Sequence, residues 1–147
     1  MQDLREYTPL TIAAATFGLK TLRVLLGFGA DYNIRTFRNS SALFEACRRG
    51  NLEVVKILFE YEGVKNGNSA PLETRIINDF GFSAFETALM TDNENILRWV
   101  VEREDVLGEH IVDGFDYREQ PGRLLHLCID NGAEECLHQL IYLYRER

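Results

Sequence analysis

Two stretches of this chain superimpose without a gap at an offset of 33 residues, one running from Thr8 to Leu26 and the other from Ser41 to Phe59. Each reads as a short apolar helix, a turn and a second apolar helix, with Gly18 and Gly50 marking the turns. The second helices carry stripes at helical spacing, Leu22, Leu25 and Leu26 in one copy and Val54, Val55 and Leu58 in the other. The first helices carry a small residue where neighbours must approach closely, Ala13 and Ala46. Two weaker copies follow, Ser83 to Val101 and Arg123 to Ile141, at offsets of 42 and 40, with Ala88 and Cys128 at the small position. No helix pair of this size buries its stripe alone, so the copies are expected to stack on one another. Four repeats of 33, lengthened by nine and seven residues before the third and fourth, account for nearly all of the 147 residues.

Local signals agree with that division. Thr8 and Ser41 are suited to cap the first helices, and Pro9 fits a first helical turn. Gly29 and Gly63 stand just past a second helix, where a left-handed residue often ends one.

Thr8-Pro9-Leu10 with Ala13-Ala14, Gly29-Ala30-Asp31-Tyr32-Asn33, the run Gly50 to Lys56, and Leu125-His126-Leu127 resemble successive parts of the ankyrin repeat. Asp3 and Gly81 stand at the Asp and Gly of that family's finger motif, whereas Asp92 and Pro121 stand where a glycine is usual. The resemblance implies an all-α ankyrin-repeat solenoid of stacked helix-turn-helix units with β-hairpin or loop fingers and a concave face. It implies one domain over 3–147, with repeats at about 3–35, 36–77, 78–117 and 118–147 and insertions within 62–82 and 105–122.

Composition narrows the class. The net charge of −7 is uneven: residues 1–73 balance to +1 and residues 74–147 to −8. An acidic second half disfavours binding to a duplex, so no direct nucleic-acid partner is expected. Three cysteines form no disulfide framework, and their odd number points to reduced thiols in a cytoplasmic or nuclear protein. Met1 to Glu6 contains no apolar core of a signal peptide, and no apolar run approaches the roughly 20 residues of a membrane span.

Several short motifs suggest chemistry. Asp79-Phe80-Gly81 spells the magnesium triplet of protein kinases, but no Gly-rich phosphate loop or His-Arg-Asp accompanies it, and its position is that of a finger. Gly27-Phe28-Gly29 ends a helix, whereas a phosphate cradle opens one. His126 with Cys128 and Cys136 with His138 offer metal-ligand types, yet helical residues two apart point roughly 200° from each other. Core and capping roles are expected for these four, with the resemblance giving His126 the place of a histidine that ties neighbouring fingers. Asn39-Ser40-Ser41 is a glycosylation sequon in which Ser41 is better placed as a cap. The resemblance puts Asn33, with Leu25 upstream, where some family members are hydroxylated, but a turn-forming asparagine is the better explanation. Carboxylates such as Glu102, Glu104 and Asp105 are scattered along solvated positions. No catalytic set, cofactor or metal is therefore expected, and the chain is not expected to be an enzyme.

The resemblance implies contact through the fingers and the exposed ends of the first helices. Those positions are Arg5 and Tyr7 in the first copy, and Arg35, Phe37, Arg38, Arg48 and Arg49 in the second. The third supplies Phe80, Phe82 and Met90, and the fourth Glu119 and Asp130. Arg and aromatic residues are favoured interface anchors. The expected function is a protein–protein interaction module, a scaffold or adaptor, binding a protein or peptide through its concave face. The alternative is a regulatory ankyrin domain of a larger enzyme, channel or transcription regulator. Charge reversal at Arg48 and Arg49 is expected to abolish binding without lowering the melting temperature. The first copy is apolar near Phe17 and Leu19, and the last ends in Leu140 to Tyr144, so additional repeats or self-association are expected at the ends. In the long connectors, Lys65 to Pro71 is turn-like and Ile111 to Tyr117 is suited to a hairpin.

Overall fold

Hydroxyl and carboxylate caps set where the helices begin. The computed structural model of the chain describes residues 8–16, 18–36, 39–61, 72, 77–106 and 121–146. Thr8 Oγ1 accepts the Thr11 N–H at 3.1 Å and Thr11 Oγ1 accepts the Thr8 N–H at 2.9 Å, which opens α1 (Pro9–Ala15). Ser41 Oγ accepts the Phe44 N–H and opens α3 (Ala42–Arg49). Ser83 and Glu86 form a reciprocal box, both bonds at 3.2 Å, at the head of α5 (Ala84–Met90). Three inner helices thus start at the same point of the repeat.

The fourth inner helix departs from the pattern. α7 runs Pro121–Asp130, so it begins two residues before Arg123, the residue in register with Thr8, Ser41 and Ser83. Pro121 supplies the fixed φ suited to a first helical residue, and Arg123 becomes part of the helix instead of its cap.

The outer helices are α2 (Leu19–Gly27), α4 (Leu52–Glu60), α6 (Glu94–Val106) and α8 (Glu134–Arg145). Each packs on its inner partner; the inner row stacks α1 on α3, α3 on α5 and α5 on α7, and the outer row stacks α2 on α4 and α6 on α8. Ala13, Ala46, Ala88 and Cys128 are all buried, as close approach in the inner row requires. The apolar core runs the length of the stack, from Leu10 and Leu22 through Val55, Phe85 and Val100 to Leu140.

All elements among the described residues are helical, and the one pairing of extended residues is an antiparallel bridge from Ile77 to Ser83. That bridge is the base of a finger closed by the Asn78 N–H to Phe82 carbonyl bond outward and the Gly81 N–H to Asn78 carbonyl bond at 3.0 Å. Gly63, the Lys65 to Pro71 segment and the Ile111 to Tyr117 hairpin lie outside the described residues.

The turn inside the second, third and fourth pairs holds a left-handed residue. Gly50 (φ 69°) and Gly132 (φ 66°) supply it in the second and fourth repeats, and Asp92 takes it in the third with φ 58°. A β-carbon in that conformation costs energy, which Asp tolerates better than most residues. Asp92 also gains a partner across the repeat boundary: its Oδ1 accepts the Cys136 N–H at 2.9 Å. Ala133, the residue before α8, provides no side-chain cap, so Asp92 caps that helix from the neighbouring repeat.

Candidate functional site

Because the inner helices stack side by side, residues at equal register share one face. Ala15, Arg48, Met90 and Asp130 form one row at their C-terminal ends, and Thr16, Arg49, Thr91 and Asn131 form the next. Arg48, Arg49, Thr91, Asp130 and Asn131 are exposed, and Met90 is half-buried. The surface therefore passes from cationic through apolar to anionic along the stack.

The cationic part is built around one carboxylate. Glu45 is buried on α3, and its Oε2 lies 2.6 Å from Arg48 Nη2 and 3.9 Å from Arg49 Nε, while Ser40 Oγ donates to Oε1 at 3.3 Å. The arginines sit one turn above Glu45, so a single carboxylate holds both guanidinium groups near the helix C-terminus, where their charge also suits the helix dipole. One surplus positive charge remains. Arg35 is half-buried, with its guanidinium carbon 5.8 Å from the centre of the Phe44 ring.

The finger before α5 presents an exposed aromatic. Asn78 Oδ1 accepts the N–H groups of Phe80 and Phe82 at 3.0 and 3.2 Å, and Gly81 turns at φ 88°. Phe80 is consequently 59% exposed at the tip, whereas Phe82 is half-buried at the base. Asp79-Phe80-Gly81 is thus a turn. Asn39, left-handed at φ 59° in the preceding finger, donates its side-chain amide to the Ile77 carbonyl at 2.9 Å and ties the two fingers together. The sequon asparagine is therefore spent on a finger contact.

Of the residues singled out from sequence, Arg35, Arg48, Arg49, Phe80, Phe82, Met90 and Asp130 are placed by the structure. Arg5, Tyr7, Phe37, Arg38 and Glu119 lie outside the described residues. Sequence reading missed Glu45 as the anchor of the arginine pair. It also missed Glu86, whose Oε2 accepts from Arg123 Nε at 2.8 Å and Nη2 at 2.6 Å across the last repeat boundary. An acid four and three residues before Arg49 and Arg48 was the available signal for the first. Nothing local signalled the second.

The residues of the metal-ligand types are separated. Cys128 and Cys136 are buried, and His126 and His138 are exposed. The finger that His126 is expected to tie, at residues 107–120, lies outside the described residues. Burial, with the Asp92 charge in second place, pushes the Cys128 thiol up to about 11. Burial raises Cys47, and burial with the neighbouring Cys128 and Asp92 raises Cys136. The folded protein is expected to resist thiol alkylation near neutral pH at all three cysteines, and all three should react once denatured. Mass spectrometry of native and denatured samples reads this directly; a thiol labelled in the native state would contradict the packing. The same shifts make the thiols stabilising below the ordinary thiol range, with that contribution lost as pH rises above it.

On the outer helices a cleft of about 530 Å³ opens between α4 and α6, lined by Lys56, Phe59, Glu60, Trp99, Glu102 and Arg103. Its floor is the Phe59–Trp99 pair, with centroids 5.3 Å apart, and the Arg103 guanidinium carbon lies 5.2 Å from the Trp99 ring centre. Its charges alternate, so it selects no single ligand chemistry. No helix among the described residues is long and apolar enough to cross a membrane.

Known proteins share this architecture. The profile of ankyrin repeats in three copies matches residues 10–111. A probable E3 ubiquitin-protein ligase, XBOS33 of Oryza sativa subsp. japonica, is 45% identical over 51 residues, which cover 35% of this chain and 10% of that protein. The ankyrin repeat domain-containing protein SAT10 of Stachybotrys chartarum is 28% identical over 110 residues, 71% of this chain and 5% of that one. Alpha-latroinsectotoxin-Lt1a of Latrodectus tredecimguttatus is 30% identical over 101 residues, 69% of this chain and 6% of the toxin. The chain thus spans a tenth or less of these relatives. The crystal structure of the human ASB11 ankyrin repeat domain superimposes with a TM-score of 0.63 at 23% identity, over 92% of this chain and 54% of that one.

Proposed function

Since this chain belongs to the ankyrin repeat family, whose repeats are in general protein-interaction modules, we propose that it grips a protein or peptide partner through the row of Arg48, Arg49, Met90 and Asp130 and the tip of the Phe80 finger. The observation that carries the reading is the register: these residues fall at equivalent or adjacent places in successive repeats, and a further exposed aromatic is held out by its own turn. Arg35, Phe82, Arg5, Tyr7, Phe37, Arg38 and Glu119 belong to the proposal by their place in the repeat alone. The complementary partner presents a carboxylate to the arginine pair, an apolar side chain to Met90 and Phe80, and a cation to Asp130. The module works by binding, with no catalytic step.

The test must respect Glu45. Reversing both arginines would leave that buried carboxylate facing two more, so the double reversal is expected to lower stability as well as binding, contrary to the expectation from sequence. Arg48→Lys with Arg49→Gln is the better probe, because it keeps one cation on Glu45 and removes the planar fork. For a partner captured by affinity purification, this pair is expected to weaken binding at least about 10-fold in calorimetric titration, a typical cost for an interfacial arginine. The melting temperature should stay within a few degrees. Unchanged affinity would remove this surface from the binding site.

A second reading, a regulatory ankyrin domain within a larger enzyme, channel or transcription regulator, is favoured by the small share of each curated relative that the chain covers.

A further inference from the structure

The ends of the stack expose what its interior buries. Val24 on α2 is 56% exposed, whereas Ile57 and Trp99, at the same register in the next two repeats, are buried. Phe28, the residue closing α2, is 89% exposed, and its counterpart Leu143 is buried. At the other end Ile129 on α7 is 60% exposed, while Ala14, Cys47 and Leu89 at its register are buried. Ile141 on α8 is 40% exposed, and its counterparts Leu26 and Val101 are buried. Val24 and Phe28 therefore mark the face that a repeat turns to its predecessor, and Ile129 and Ile141 the face that it turns to its successor.

A groove on α8 makes the match specific. It measures about 440 Å³ and is lined by His138, Ile141, Tyr142, Arg145 and Glu146. His138, Ile141 and Tyr142 stand at the register of Lys56, Phe59 and Glu60, which form the α4 wall of the outer cleft. There the opposite wall comes from Trp99 and Arg103 of the following repeat, with the Trp99 ring tilted against Phe59. Val24 and Phe28 occupy the register of Trp99 and Arg103. The α8 groove is thus half of an interface whose other half is present at the opposite end of the same molecule.

From this we infer that the chain associates head to tail with a second copy of itself, the Val24–Phe28 face of one copy seating on the Ile129–Ile141 face and α8 groove of the next. Charge favours this polarity. Lys20 is exposed on α2, at the register from which Asn95 reaches the Gly50 carbonyl of the preceding repeat, and Glu134 is exposed at the start of α8. Pairing two α8 ends would instead bring together two halves that each carry −8. The faces are of opposite kind, so the contact is heterologous and each added copy presents a fresh end.

Sedimentation velocity across a wide concentration range tests the inference. The weight-average mass of the wild-type chain should rise with concentration above the 16.9 kDa of one copy, through species of increasing size. Phe28→Asp blocks only the head and Ile141→Asp only the tail, so each variant alone should stay monomeric. An equimolar mixture should form a one-to-one complex and grow no further, because its outer ends are both blocked. Both sites are at the surface, and thermal unfolding confirms that the variants fold; Phe28→Ser and Ile141→Ser provide a milder pair. A wild-type chain that stays monomeric throughout overturns the inference and leaves these faces to another occupant. Self-pairing by either single variant overturns it too, since that reveals a symmetric contact.

Discussion

Phe85→Ala is expected to lower stability by about 3–5 kcal/mol, the range for removing a large aromatic side chain from a packed core. Phe85 is fully buried in the first turn of α5, with its ring centroid 6.4 Å from Phe59 of α4, which itself lies 5.3 Å from Trp99 of α6. Phe59 thus links α4 to α6 and, through Phe85, to α5 across the boundary between the second and third repeats. A stack is held together by its neighbour interfaces, so a void at an interior boundary weakens the coupling of the repeats on either side. Thermal unfolding followed by circular dichroism should show a midpoint lower by on the order of 10 °C. The transition should also broaden, because the two halves no longer melt as one unit. A small shift with an unchanged slope would mean that this boundary contributes little cohesion.

Gly50→Ala is expected to cost about 2–4 kcal/mol from two separate causes. Gly50 sits at φ 69°, where a β-carbon is strained by roughly 1–2 kcal/mol. That β-carbon would also overlap the side-chain amide of Asn93. Asn93 Nδ2 donates to the Cys47 carbonyl at 3.0 Å and to Thr91 Oγ1 at 2.7 Å, so moving it away forfeits bonds worth about 1 kcal/mol each. The causes separate in a double-mutant cycle. In an Asn93→Ala background, Gly50→Ala should retain only the conformational cost. Equal costs in both backgrounds would show that Asn93 exerts no steric pressure. Asp92 supplies the contrast: it holds the same left-handed turn one repeat later, and its carboxylate gains a bond to the Cys136 N–H.

The fold was legible because ankyrin-type order is written locally. The capping of α1, α3 and α5 by Thr8, Ser41 and Ser83 involves side chains and backbone three residues apart, and the small residues Ala13, Ala46 and Ala88 recur at fixed offsets. The fourth repeat was less legible. Its offset puts Arg123 in register with Thr8, Ser41 and Ser83, whereas the helix starts at Pro121, which suits a first helical turn that Arg123 then continues. The candidate surface was legible as a set of positions but not as a charge distribution. Arg48 and Arg49 read as two free cations until Glu45, buried one turn below, is seen to neutralise one of them.

By itself the sequence determined the repeat, the helix pairs and their apolar faces, because periodicity and capping act over a few residues. Only the tertiary structure decided how the repeats are tied together. Asn39 reaches the Ile77 carbonyl across 38 residues, Glu86 holds Arg123 across 37, Asp92 caps α8 across 44, and Asn93 binds the Cys47 carbonyl across 46. Those separations become contacts through stacking alone. A polar side chain at a repeat boundary stays solvated in the extended chain and finds its partner once the neighbouring repeat has docked, which is why no local pattern announces it.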